Sequence, residues 1–210
     1  MVTHLRANIQ HSVIAKKEII DRYFDYAQEK FGRRLREQGF YSEAENFEIQ
    51  VLNAQSSTLG EEHPDAISAM HNLAVTWGEL GKYADAEKLQ FKVLDLRNRF
   101  LGEEHPDTIS AMHNLAVTCE RLGKYADAKK LQLKVLDLRN RHLGEERPET
   151  IWAMHNLAIT YESLGKYVDA EKLQLNVLDL TNRLLGEEHL DTISAMNNLA
   201  LTVIHLLMIH

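Results

Sequence analysis

From Ile67 onward the apolar positions keep to intervals of three and four. Ile67, Met70, Leu73, Ala74, Trp77 and Leu80 fall along one side of a helix whose other side is polar. The pattern predicts a first helix, A, beginning near residue 64. Pro64 suits its first turn, where a missing N–H leaves no hydrogen bond unmade, and Asp65 stands at the positive end of the dipole. Gly81 can close the helix in the left-handed conformation. Lys82 and Tyr83 then lead into a second apolar series, Ala86, Leu89, Val93, Leu96 and Leu101, which predicts a helix B stopped by Gly102. No stretch alternates with period two over the length of a strand, so the expected fold class is all-α.

The same pattern returns without a slip in phase. Gly60, Gly102, Gly144 and Gly186 each follow a leucine and recur every 42 residues. Residues 61–102 and 103–144 differ at seven positions, and residues 103–144 and 145–186 at eleven. One phase earlier, Gly39, Tyr41, Ala44, Val51 and Leu59 stand where Gly81, Tyr83, Ala86, Val93 and Leu101 stand, which marks a degenerate first repeat. The expected organisation is a capping helix or linker over residues 1–20, the degenerate repeat over 21–60, repeats over 61–102, 103–144 and 145–186, and an incomplete last repeat, helix A only, over 187–210. One helix pair buries too little to stay folded by itself. Neighbouring copies must share a continuous core, which is the logic of a solenoid.

The two ends differ from the middle. Leu5, Ile9, Val13, Ile20, Phe24, Phe31 and Leu35 lie on one helical face and predict a preceding helix that caps the array, with one helix or two left open because no glycine divides it from the next. At the other end the helix A pattern runs past Asn198 into Val203, Ile204, Leu206, Leu207, Met208 and Ile209, and Leu207 replaces the turn glycine. Either the chain belongs to a longer array, or this apolar helix docks onto another molecule. The second option makes a homo-oligomer built through the solenoid ends the structural alternative.

Composition narrows the partners. With 31 acidic against 24 basic residues and a net charge of −7, the chain has no broad positive surface of the kind nucleic acids require. Cys119 is the only cysteine, so no internal disulfide forms, and the opening MVTHLRANIQHS lacks the apolar core of a signal peptide. A reducing, cytoplasmic setting is expected. The most apolar stretch, Leu199 to Ile209, contains His205 and is shorter than the roughly 20 residues that span a bilayer, so no membrane anchor is expected.

The unit resembles tetratricopeptide repeats. Met70, Leu73, Ala74 and Trp77 sit at that family's helix A packing positions, Gly81 and Tyr83 at its turn, and Ala86 at its helix B contact. The repeat is eight residues longer than the family's usual 34, and it lacks the closing proline and the helix B aromatic, where Gln90, Gln132 and Gln174 stand. The combination of LGEEHPD, then HNLA or NNLA, then LGKY is similar to the 42-residue repeats of kinesin light chains and of nucleotide-binding receptor proteins that end in such arrays. The resemblance implies a right-handed superhelical solenoid of antiparallel helix pairs whose concave groove, lined by helix A, holds a protein or peptide. Neither the heptad segment that joins kinesin light chains to their heavy chain nor a phosphate-binding GxxxxGK loop is present.

On that pattern Ser68, His71, Asn72, Val75 and Glu79 face the groove, with counterparts at 42-residue steps. These are Ser110, His113, Asn114, Val117, Glu120 and Arg121, then Trp152, His155, Asn156, Ile159 and Glu162, then Asn197 and Asn198. Asn72, Asn114, Asn156 and Asn198 form a ladder of amides, each able to donate and accept, which suits gripping an extended backbone or tying one helix to the next. The near-identical repeats disagree on this same face: Gly78, Glu120 and Glu162; Glu79, Arg121 and Ser163; Ser110 against Trp152. Such substitutions would tune ligand choice over a fixed core. Trp77, Cys119 and Tyr161 vary too, but lie on the apolar stripe and read as core.

His71, His113 and His155 make a second ladder. Zinc needs ligands about 2.0 Å away, whereas packed helix axes lie about 8 to 10 Å apart, so no metal site is expected. Stacked imidazoles would repel when protonated, predicting a groove weakened below about pH 6. Acidic peptides of the type bound by chaperone-associated relatives are disfavoured, since Val75 and Glu79 stand where those relatives carry lysine and arginine. The repeated Glu-Glu-His loops are a whole repeat apart with no convergent nucleophile and base, so neither catalysis nor a cofactor is expected.

Overall fold

The computed structural model describes residues 27, 28 and 30–209. The capping helix or linker expected over 1–20, with Leu5, Ile9, Val13 and Ile20, lies outside the described residues, as does Phe24. Among the described residues every regular element is a helix: α1 through residues 30–37, α2 Tyr41–Leu59, α3 Pro64–Glu79, α4 Tyr83–Leu101, α5 Pro106–Arg121, α6 Tyr125–Leu143, α7 Pro148–Ser163, α8 Tyr167–Leu185 and α9 Leu190–Ile209. The first helices of the 42-residue units are therefore α3, α5, α7 and α9, and α1 stands in the same place in the degenerate repeat.

The boundaries follow from local chemistry. Gly123, at φ +73°, closes α5: its N–H donates to the Glu120 carbonyl at 2.9 Å, and the Lys124 N–H reaches back to the Cys119 carbonyl at 2.8 Å. At the other end proline opens α3, α5 and α7. A second device is less visible in the sequence. The Nδ1 atoms of His63, His105 and His189 accept from the N–H groups of Asp65, Asp107 and Asp191 at 3.3, 3.2 and 3.2 Å, so the loop histidines cap the helices that follow. Arg147 stands at the same place before α7 and supplies no side-chain cap.

The chain forms two compact units divided between Lys82 and Tyr83. In the first, α2 packs on α3. The buried Glu48 carboxylate accepts there from Arg36 and from Thr76 Oγ1, the latter at 2.5 Å, while Trp77 Nε1 and Lys82 Nζ both donate to Glu45. Burial raises the pKa of Glu48, and the Lys82 ammonium lowers that of Glu45. In the second unit each helix from α4 to α8 packs on its successor, and α5 also touches α7.

Three-helix layers share the core of that second unit. Ile109, Met112, Val135, Leu138 and Ala153 bring α5, α6 and α7 together; Met154, Val177, Leu180 and Ala195 do the same for α7, α8 and α9. Cys119 joins Leu115 and Ala128, and burial with the nearby Glu87 carboxylate pushes its thiol up to about 11. Two details depart from expectation. Leu101 is 45% exposed and contributes little to the core. The apolar C-terminal stretch is part of a longer helix than its composition suggested. Because α9 starts at Leu190, the segment Leu190–Met208 is long and apolar enough to cross a membrane, by length and composition.

Candidate functional site

Burying one stripe of α5 and α7 turns the opposite side outward. On α5, Met112, Leu115, Ala116 and Cys119 are buried, which leaves Ser110, His113, Asn114, Val117 and Glu120 half-buried and Arg121 exposed. On α7, His155, Ile159 and Glu162 are half-buried and Trp152 is 58% exposed. Asn197 is exposed and Asn198 half-buried on α9; in the other unit Ser68 and Glu79 are exposed and His71, Asn72 and Val75 half-buried on α3.

One group of these residues converges. The Trp152 ring meets His155 edge-on at 5.8 Å and, across to α5, His113 at 6.5 Å. The result is an aromatic cluster joining two successive first helices. Burial beside the Arg139 guanidinium holds the His113 imidazole down to about 4, and burial lowers that of His155, opposed by Glu162. The His113 ring is therefore uncharged at pH 6 and takes no part in the repulsion expected there: losing water around the ring disfavours the proton more than the sequence discloses. Among the described residues no group of three His, Cys, Asp or Glu is placed to hold a metal.

Three of the expected groove residues point elsewhere. Asn156 is buried at 6% exposure, and its Nδ2 finds no hydrogen-bond partner among the described residues. Glu120 Oε2 accepts from Thr160 Oγ1 at 3.5 Å, with its pKa raised by burial. Glu162 accepts from Gln174 Nε2 at 2.5 Å and from Thr202 Oγ1. These two carboxylates are spent linking one helix pair to the next rather than held out to a guest. The place of Glu162, Gln174 and Thr202 in the array is that of Arg36, Glu48 and Thr76 in the first unit, three repeats earlier.

Beside the aromatic cluster lies a cavity of about 550 Å³ between α7, α8 and α9. Ile151, Trp152, Val177 and Leu184 give it apolar walls, and Thr181 and Asp191 add polar groups. One of the lining residues, Thr181, departs from the preceding repeats. In the two preceding repeats a half-buried or buried arginine crosses from the second helix to the next first helix: Arg97 Nη1 donates to the Asp107 carbonyl and Arg139 Nη1 to the Glu149 carbonyl, both at 2.8 Å. Thr181 stands at the third such position. Its hydroxyl turns back onto its own helix, donating to the Val177 carbonyl at 2.9 Å. Sequence reasoning missed this site, although the series Arg97, Arg139, Thr181 was legible among the positions where the repeats differ.

The geometry of paired helices in 42-residue register agrees with the comparisons with known proteins. The tetratricopeptide repeat profile matches residues 78–141, 118–174 and 149–206, and a second profile of the same repeat matches residues 27–65. The chain is a tetratricopeptide repeat protein. No curated protein matches it. Two crystal structures of a kinesin light chain-like protein of Podosopora anserina with nearly identical TPR-like repeats, one of them a point variant, superpose with a TM-score of 0.76 at 27% identity, covering 85% of this chain and 84% and 85% of theirs. BtubC of P. vanneervenii shares the fold, with a TM-score of 0.72 at 19% identity over 83% of this chain and 70% of its own. Tetratricopeptide repeats generally mediate protein–protein interaction, and the solved structures that this tetratricopeptide repeat protein is similar to include kinesin light chain-like ones.

Proposed function

We propose that this protein is a non-catalytic module that holds a peptide or protein partner along the first helices of the repeats in its second unit, with α5 and α7 central to the contact. The observation that carries the reading is the aromatic cluster of His113, Trp152 and His155, with the Trp152 ring left 58% exposed beside half-buried Val117 and Ile159. A large exposed aromatic flanked by apolar and amide groups is the usual anchor of a protein interface. The cytoplasm is the setting proposed for it, on the strength of the lone buried Cys119. The test is a pull-down comparing the chain with a variant carrying Asn114→Ala, Val117→Gln and Ile159→Gln together. Partners that are lost from the variant support the reading; partners retained equally by both refute it.

A second reading has its own observation. On α9, Leu190, Leu207 and Met208 are 80, 73 and 78% exposed, and large apolar side chains left to solvent favour association of copies of a chain. Light scattering decides it: a mass that rises with concentration, and falls back in a Leu207→Glu, Met208→Glu variant, supports self-association, and a single monomer mass throughout defeats it.

A further inference from the structure

We infer that the cavity between α7, α8 and α9 receives an arginine side chain of the bound partner, in the place where this chain's own arginines sit in the preceding repeats. The proposal rests on reading α7 and α9 as part of the partner-binding row, and it names the chemistry of the guest there.

The argument starts from what the array does twice with its own residues. Arg97 and Arg139 each leave the second helix of a pair, pass along the apolar seam and place a guanidinium N–H on a carbonyl in the first turn of the next helix. Burial lowers the pKa of both, opposed by the acidic residue of that turn, Asp107 or Glu149, so the charge is accommodated by a carboxylate close to the carbonyl. At the third position Thr181 replaces the arginine, while an acidic residue is kept at the same place in the next first turn. Asp191 supplies the same first-turn carboxylate and carbonyl, and the seam between Ile151 and Leu184 lies open as the cavity.

The second change in this repeat adds to the fit. Trp152 stands where Ser110 stands one repeat earlier, and its ring forms a wall of the cavity. A guanidinium stacks on an aromatic face and carries a long apolar stem, both of which this wall and seam accommodate; a lysine ammonium lacks the planar stacking group. Charge points the same way. The lining includes two carboxylates, Glu146 and Asp191, and neither lysine nor arginine. Glu146 pairs with Arg183 at 2.7 Å on the exposed rim, and His189 lies 3.7 Å from Asp191, leaving the Asp191 carboxylate 71% exposed toward solvent. His155 also lines the cavity, and burial disfavours its charged form.

The test uses the full chain and the blocked peptide acetyl-Ala-Ala-Arg-Ala-Ala-amide, with its citrulline counterpart as a neutral isostere, in isothermal titration calorimetry. The expected result is that the arginine peptide binds at least about tenfold more tightly than the citrulline peptide, the scale of a charge-assisted hydrogen bond. Thr181→Arg, which restores the residue of the other repeats, is expected to fill the cavity and weaken that binding by about tenfold or more. Trp152→Ser, the residue of the preceding repeat, is expected to weaken it as well, and it decides the matter if the first variant does not fold by circular dichroism. Absence of binding, equal binding of the two peptides, or undiminished binding to the folded variants overturns the inference. The pull-down with the Asn114, Val117 and Ile159 variant touches none of these cavity residues, so the broader reading stands or falls separately.

Discussion

Replacing His113 by asparagine is expected to flatten the chain's stability in mild acid. In the folded state burial and the Arg139 guanidinium hold the His113 imidazole at about 4, whereas an unfolded chain takes up the same proton near 6.5. Between those values the unfolded chain binds more protons, so stability is intact above about pH 6.5 and falls as pH drops toward 4, by about 1.4 kcal/mol per unit. From near pH 7 to about pH 4.5 the ring therefore removes on the order of 2 kcal/mol. Asparagine is the residue of the same register in α9, at Asn197, so the array already accommodates it. Glu48 and Glu120, whose pKa values burial raises, act in the opposite sense, and His155 in the same sense as His113; comparing parent and variant in one background cancels all three. The assay is urea unfolding followed by circular dichroism at the two pH values. Equal losses in parent and variant would refute the reasoning, because they would mean the imidazole is as free to charge in the folded state as in the unfolded one.

Other substitutions test the packing directly. Arg139→Met removes the 2.8 Å hydrogen bond to the Glu149 carbonyl and is expected to destabilise the second unit by about 1.5 to 3 kcal/mol in the same unfolding assay. Leu138, 2% exposed in the core shared by α5, α6 and α7, is expected to cost about 2 to 5 kcal/mol when changed to alanine. Cys119, 1% exposed with its thiol pushed up to about 11, is expected to resist iodoacetamide at mildly alkaline pH in the folded chain and to react once urea unfolds it, as read by mass spectrometry.

The helices were legible because their signals are local. A three-and-four spacing of apolar residues, a proline at the start and a glycine at the end each act within a few residues, and Pro106, Met112, Leu115 and Gly123 state them without help from the rest of the chain. The family was legible because the same signals return in one phase. The site was legible only in outline. Trp152 is conspicuous by its difference from Ser110, and the structure leaves it exposed beside two imidazoles. Glu120 and Glu162, polar residues in the same outward register, are turned inward by partners 12 and 40 residues away, Gln174, Thr160 and Thr202, which no helical periodicity reveals. The cavity was hidden for another reason. Thr181 lines it with a short side chain where two arginines stand in the preceding repeats, and such a shortening leaves no mark on a hydrophobic pattern.

The buried links between helix pairs bear on how such a chain finds its register. Copies that differ at seven positions in 42 can dock one place out of order with little loss of apolar contact, a hazard inherent to repetitive sequences. The first unit joins Arg36 to Glu48, whereas the last pair joins Glu162 to Gln174, so the carboxylate comes from opposite members of an equivalent pair of positions. A misplaced pair would trap carboxylate against carboxylate, or leave a guanidinium facing a neutral amide. These two rungs thus carry different keys, and a chain built from near-duplicates keeps a means of telling them apart as it assembles.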